Sequence, residues 1–147
     1  MGDAATVKLL LFRVGGLVCA VDADGVGEIL PRQEATRIPG AMPFVAGLVN
    51  VRGTLVTVVD GWRALGGEQP AADVVGTTIL LRLSGGRLMG LAVDEVVDLV
   101  AVAADDLQDR AALPGVDPTL VRAVGRRGGR PFVVLDTAAL LAPVLTS

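Results

Sequence analysis

Histidine and tyrosine are both absent from the 147 residues, and cysteine and tryptophan occur once each. Without histidine the chain lacks the commonest general base and the commonest metal ligand. The lone Cys19 excludes an intrachain disulfide and makes a reducing cytoplasm the expected home. It lies in the apolar stretch Leu17-Val18-Cys19-Ala20-Val21, where a small core filler is expected. Aromatics make up only 3% of residues, and 13 basic against 16 acidic residues leave a net charge of −3. A nucleic-acid binder needs a basic field and stacking platforms, and neither is present. No apolar run approaches the roughly 18 residues that span a bilayer, so no membrane insertion is expected. The N-terminus has no basic stretch leading into an apolar one, so no signal peptide is expected. Gly2 and Thr6 fit the loose myristoylation pattern, which is at odds with the bacterial look of the composition.

What the chain does have is apolar residues, 52% of the total, with a mean hydropathy of +0.61. They come in strand-sized pieces broken by Gly, Asp or Arg, the profile of a dense core built from short strands. Residues 7–14 and 17–21 read as a hairpin around Gly15-Gly16. Residues 24–30 are ambiguous between a helical turn and a strand closed by Pro31, and Pro39, Gly40 and Pro43 mark a loop. The β-branched runs 44–51 and 54–60 around Arg52-Gly53 form the clearest hairpin. A loop over 66–73 is the candidate boundary between subdomains. A third hairpin joins 77–83 to 87–93, a strand follows over 96–102, and 105–113 reads as irregular or briefly helical. A last hairpin joins 120–124 to 131–135 across residues 125–129. Asp136 is placed to cap a short helix over about 137–142, stopped by Pro143. The pattern predicts an all-β fold, and hairpin units on both sides of residues 66–76 predict two small barrels in one domain. The first barrel is expected over about 15–66. The second is expected over about 77–135, joined by the N-terminal strand 7–14.

Reactive chemistry is sparse. Asp60, Asp94, Glu95 and Asp98 fall at strand ends, where Asp is common for local hydrogen bonding. An acidic hydrolase would need Asp60 and Asp94 within roughly 5–10 Å in one cleft. Asp105, Asp106 and Asp109 lack the spacing of a calcium loop, so no metal site is expected. Ser84 and Ser147 are the only serines, neither in a nucleophile elbow, and no histidine exists to activate Cys19. The Gly-rich stretch 125–129 lacks phosphate-loop and dinucleotide spacing. It reads as a basic tip whose Arg126, Arg127 and Arg130 serve solubility or meet an acidic partner or a lipid head group. No enzyme and no cofactor are expected. The residues favour a protein that works by binding other proteins, with a barrel that holds a small apolar ligand between its lobes as an alternative.

The stretch from Phe44 to Asp60, with Asn50-Val51-Arg52-Gly53 and Val58-Val59-Asp60, resembles the signature of the CheW-like coupling family. Ala20-Val21-Asp22 through Val26-Gly27-Glu28-Ile29-Leu30, Thr36-Arg37-Ile38-Pro39, Gly90 to Val96, and Phe132 to Asp136 with Leu140-Leu141 are similar to further family motifs in the same order. The resemblance spans about residues 7–142. It implies two five-stranded SH3-like barrels packed together with a short C-terminal helix. It also implies a cytoplasmic adaptor, at membrane-associated or cytosolic receptor clusters, that joins chemoreceptor tips to the regulatory domain of a CheA-type histidine kinase. The receptor-binding positions it implies are Leu10, Ala23, Val26, Ile29 and Val96, all apolar as a helix-in-groove contact requires. The kinase-binding positions it implies are Glu28, Asn50, Arg52 and Gly53. Arg52 has two readings, a pairing with Glu28 that shapes the barrel or a direct partner contact. The chain departs from the family at Val51, at Thr57 where Pro is usual, and at Gly61-Trp62. Those departures lie near the implied kinase face and leave open a receptor-only accessory. Trp62 reads either as a core plug or as an exposed anchor.

Overall fold

A computed structural model describes residues 5–66, 75–109 and 117–145. Among these residues, eleven strands form two sheets. In chain order they are β1 (Thr6–Val14), β2 (Leu17–Asp22), β3 (Val26–Pro31), β4 (Val45–Val51), β5 (Thr54–Asp60), β6 (Thr77–Arg82), β7 (Leu88–Val93), β8 (Glu95–Ala103), β9 (Gln108–Asp109), β10 (Val121–Arg127) and β11 (Arg130–Leu135). Two helices, α1 (Gly61–Ala64) and α2 (Thr137–Leu145), follow β5 and β11. The expected all-β, two-barrel architecture is what the chain forms.

Membership of the barrels differs from the expected division at 15–66 and 77–135. One sheet runs β3-β6-β7-β5-β4 and the other β8-β1-β2-β11-β10-β9. Strands β6 and β7 therefore complete the first barrel, and β2 belongs to the second. The local pattern identifies hairpins, but the parallel pairs β5–β7 and β11–β2 join distant segments that no local pattern reveals. The proposed boundary loop at 66–73 lies, apart from Gly66, outside the described residues.

Each barrel is closed by the continuation of its edge strand. Beyond β3 the chain returns so that Thr36 and Leu48 of β4 exchange two backbone hydrogen bonds of 2.8 Å. Beyond β8 it turns through Ala104–Asp106, and β9 then pairs with β10. Counting β8 and β9 as one bent strand, the second barrel also has five.

The apolar residues divide by strand face. Leu9 and Leu11 of β1 fill the interior of the second barrel with Ala20, Ala123, Phe132 and Val134. Leu10, Phe12 and Val14 point the other way, into a larger core shared with Val59, Ile79, Leu81, Met89 and Leu91 of the first barrel. A strand buried on both faces reads as a continuous apolar run, which is why Leu9-Leu10-Leu11-Phe12 and Ile79-Leu80-Leu81 show no alternation. Between the lobes, Leu81 and Arg82 of the first barrel and Asp22, Arg122 and Leu135 of the second line a pocket of about 150 Å³, below the roughly 300 Å³ usual for a ligand site, which adjoins the shared core. Cys19 is fully buried in that core, and desolvation pushes its thiol up to about 12. It is inert filler.

Two element ends differ from expectation. The β10–β11 turn is Gly128-Gly129, not 125–129, and Gly125 lies inside β10 opposite Phe132. A Cβ on Gly125 would come within 2.4 Å of the Phe132 ring, so this glycine serves a close approach and not a turn. Helix α2 runs past Pro143 to Leu145. Proline there forfeits one hydrogen bond to a carbonyl four residues back, a loss the short last turn accommodates. Asp136 does cap it, accepting from the Ala139 amide at 3.0 Å.

Candidate functional site: an apolar seam and a hairpin tip

The edge strands β3 and β8, each of which packs a valine on the shared core, carry the same irregularity. In β3 the register against β6 shifts between Val26 and Glu28, so Val26 pairs with Leu81 and Ile29 with Ile79. Both partners belong to the shared core, so these residues three apart lie on the same, inter-barrel side. In β8 the register against β1 shifts likewise, so Val96 pairs with Phe12 and Leu99 with Leu10. The repeated unit is Val26-Gly27-Glu28-Ile29 in one barrel and Val96-Val97-Asp98-Leu99 in the other. A bulge is the only way such spacing reaches one face of a strand.

Val26 and Val96 pack on the shared core and are half-buried. Ile29 and Leu99 extend outward from it, 44% and 60% exposed. Ala23 is partly exposed in the turn Ala23–Gly25 that leads into β3, a turn capped by Asp22, which accepts from the Asp24 amide at 3.0 Å. Leu10 is only 4% exposed and forms the floor beneath Leu99. Of the five implied receptor positions, four thus offer surface along the seam, and Leu10 supports it from below. Leu99, which is not among the implied positions, lies with them on the seam. The repeat of valine, spacer, acid and aliphatic in β3 and β8 is the signal that would have found it.

The acids of the two repeats point the other way. Glu28 is forked by Arg52, whose Nη1 donates to Oε2 at 3.1 Å and whose Nη2 donates to Oε1. Hydrogen bonding from Arg52, then its positive charge, holds the Glu28 carboxyl below its ordinary 4.5. Arg52 and Gly53 form the β4–β5 turn with φ of 49° and 87°, the mirror-image turn that suits the twist of a tight hairpin. Asn50 Oδ1 accepts the Gly53 amide at 2.7 Å and locks it. All four implied kinase-facing residues, Glu28, Asn50, Arg52 and Gly53, therefore meet in one exposed cluster beside an open cleft of about 410 Å³. In the second barrel Arg127 makes a single bond to Asp98, Nη2 to Oδ2, and Asp98 Oδ1 instead accepts the Leu99 amide at 2.8 Å.

Asp94 Oδ2 accepts the Gly15 amide at 2.9 Å, whereas Asp60 lines a separate cleft with Arg32, Arg37 and Arg63, and Asp94 is not on its wall. Burial raises the Asp60 carboxyl, an effect opposed by the charges of Arg63 and Arg32. Among the described residues, no three of His, Cys, Asp and Glu are grouped as metal ligands would be.

Residues 8–144 match the family model described as the CheW-like domain. The chain is 25% identical over 142 residues to chemotaxis protein CheW of Klebsiella aerogenes, covering 96% of this chain and 85% of that one. It is 35% identical over 101 residues to chemotaxis protein CheW of Rhizobium meliloti, covering 69% and 64%. It is 31% identical over 133 residues to protein PilI of Pseudomonas aeruginosa, covering 88% and 72%. Its fold matches the scaffolding protein TtCheW from Thermoanaerobacter tengcongensis with a TM-score of 0.82 at 19% identity, covering 90% of each chain. The chain belongs to the CheW-like domain family of chemotaxis scaffold proteins.

Proposed function

We propose that this chain is a non-enzymatic cytoplasmic adaptor that couples chemoreceptor signalling tips to the regulatory domain of a CheA-type histidine kinase. The observation that carries the reading is the pair of bulged edge strands, which turn Val26, Ile29, Val96 and Leu99 to a common seam while committing Glu28 and Asp98 to ion pairs elsewhere. An apolar strip between two rigid barrels suits an amphipathic helix, and a receptor tip is such a helix. The exposed cluster of Glu28, Asn50, Arg52 and Gly53 is the kinase contact in this reading. Such an adaptor works at receptor clusters. Among the described residues no helix is long and apolar enough to cross a membrane.

One observation favours a second reading, a receptor accessory that does not bind the kinase. Thr57 pairs with both Leu48 and Met89, completing a ladder that proline would interrupt. A pull-down of the purified chain against the kinase regulatory domain and the receptor tips of its own organism separates the two. Capture of both establishes the coupling function, capture of receptor alone selects the accessory, and capture of neither removes both readings.

A further inference from the structure

The first barrel bears two adjoining depressions that neither the seam nor the hairpin tip uses. One, of about 520 Å³, is walled by Arg32, Arg37 and Arg63 against Glu34 and Asp60. Its positive excess is opposite in sign to the chain's net −3. Arg32 and Arg37 are exposed and make no ion pair or side-chain hydrogen bond with described residues. The other, of about 500 Å³, is an apolar shelf formed by Met42, Pro43, Phe44 and Trp62. Phe44 and Trp62 are rooted in the shared core, while Met42 is 40% exposed.

Arg63 is the wall between them, and it is held on three sides. Its Nη1 donates to the Pro43 carbonyl at 3.0 Å, its Nε lies 3.8 Å from Asp60 Oδ2, and its guanidinium sits 4.9 Å from the Trp62 ring centroid. Asp60 precedes α1 but makes no capping bond, unlike Asp136 before α2, and this leaves its carboxylate for Arg63. The two depressions are thus one preorganised surface, with a stacked cation at its middle.

We propose that this surface docks a partner's peptide segment that sets two or more carboxylates over Arg32 and Arg37 and an adjacent bulky apolar side chain on the Met42–Trp62 shelf. Exposed guanidinium forks match carboxylates in geometry and charge, and Arg32 acts on Asp60 only through its charge, without a hydrogen bond. A small inorganic anion would fill the basic side and leave the shelf bare. An extended nucleic acid needs a basic field wider than these three arginines. The site stands apart from the seam and the hairpin tip, so it holds or fails independently of the adaptor reading.

Trp62 is the only tryptophan in the chain, so its emission reports occupancy directly. The full chain is titrated at low salt with the peptide acetyl-Asp-Glu-Leu-Phe-Asp-amide. A saturable change in Trp62 emission is expected. It should weaken by about tenfold or more when the acids are replaced by their amides, when Leu-Phe is replaced by Ser-Ser, or in the Arg32→Gln/Arg37→Gln variant. The peptide substitutions need no altered protein, so the test survives a variant that folds poorly. No saturable change up to millimolar peptide overturns the proposal, as does equal binding of the amide peptide, of the Ser-Ser peptide or by a folded double variant. Displacement by inorganic phosphate at similar concentration also overturns it, making the surface a small-anion site.

Discussion

Arg52 reaches Glu28 across the line where the first barrel closes. Glu28 lies on β3 and Arg52 at the tip of β4 and β5, elements at opposite edges of the five-stranded sheet. Arg127 and Asp98 do the same for the second barrel, joining β10 to β8. Where the backbone ladder is interrupted, each barrel carries one arginine–carboxylate pair on its surface. The acid of each pair is the third residue of the repeat whose first and fourth residues line the seam.

The geometry at Arg52 separates its two roles. With φ at 49° it occupies a conformation in which glycine alone avoids the Cβ clash. An exposed ion pair contributes little to stability. Arg52→Gly is therefore expected to melt at or above the temperature of Arg52→Ala, with both folded by circular dichroism. Both should lose capture of the kinase regulatory domain. Retained capture by Arg52→Gly would mean that the guanidinium is not a partner contact.

The Glu28 carboxyl sets a pH dependence of known sign. Its folded pKa is held below 4.5 by Arg52, so its contribution is present above the ordinary carboxylate range and is lost as pH falls through the folded value. Melting curves of the chain and of Glu28→Gln, compared from pH 7 down to 3, should converge at the acid end. A difference that stays constant across that range would show that Glu28 ionisation is not linked to folding.

Much of the fold is legible in the residues themselves. Gly-rich punctuation marks the hairpins, and the Arg52–Glu28 pairing follows from the family motif. Which strands share a barrel is not legible, because β5–β7 and β11–β2 are long-range parallel pairs and all four strands are apolar on both faces. Bulges hide Leu99 for a related reason. In Val96-Val97-Asp98-Leu99-Val100 every apolar residue reads as core until the register shift brings Leu99 to the seam side, where it is 60% exposed. Pro143 reads as a stop, since nothing local shows that one lost hydrogen bond is tolerable at a helix end.

The seam divides its residues into surface and support, and mutation should show it. Ile29→Glu and Leu99→Glu place a charge at exposed positions, so the folded state should survive while receptor-tip binding is lost. Leu10→Ala instead empties a buried site and should cost about 2–5 kcal/mol in urea unfolding. Unchanged receptor affinity in Leu99→Glu would confine the contact to the first barrel's strand and remove the paired-strand account of the seam.

Closure of the second barrel rests on a glycine. At Gly125 a Cβ would stand 2.4 Å from Phe132 Cζ and 2.9 Å from Leu107 Cδ2, both inside the barrel where β9 approaches β10. The ring is fully enclosed and has no open space to enter. Gly125→Ala should therefore destabilise by about 1–3 kcal/mol, measured by urea unfolding, through overpacking. Phe132→Leu removes the far end of the ring and leaves a cavity of its own. In the double variant the new methyl occupies part of that space, so the combined loss should be smaller than the sum of the two single losses. Strict additivity would mean that the strain lies in the backbone of β10 and not in the contact with Phe132.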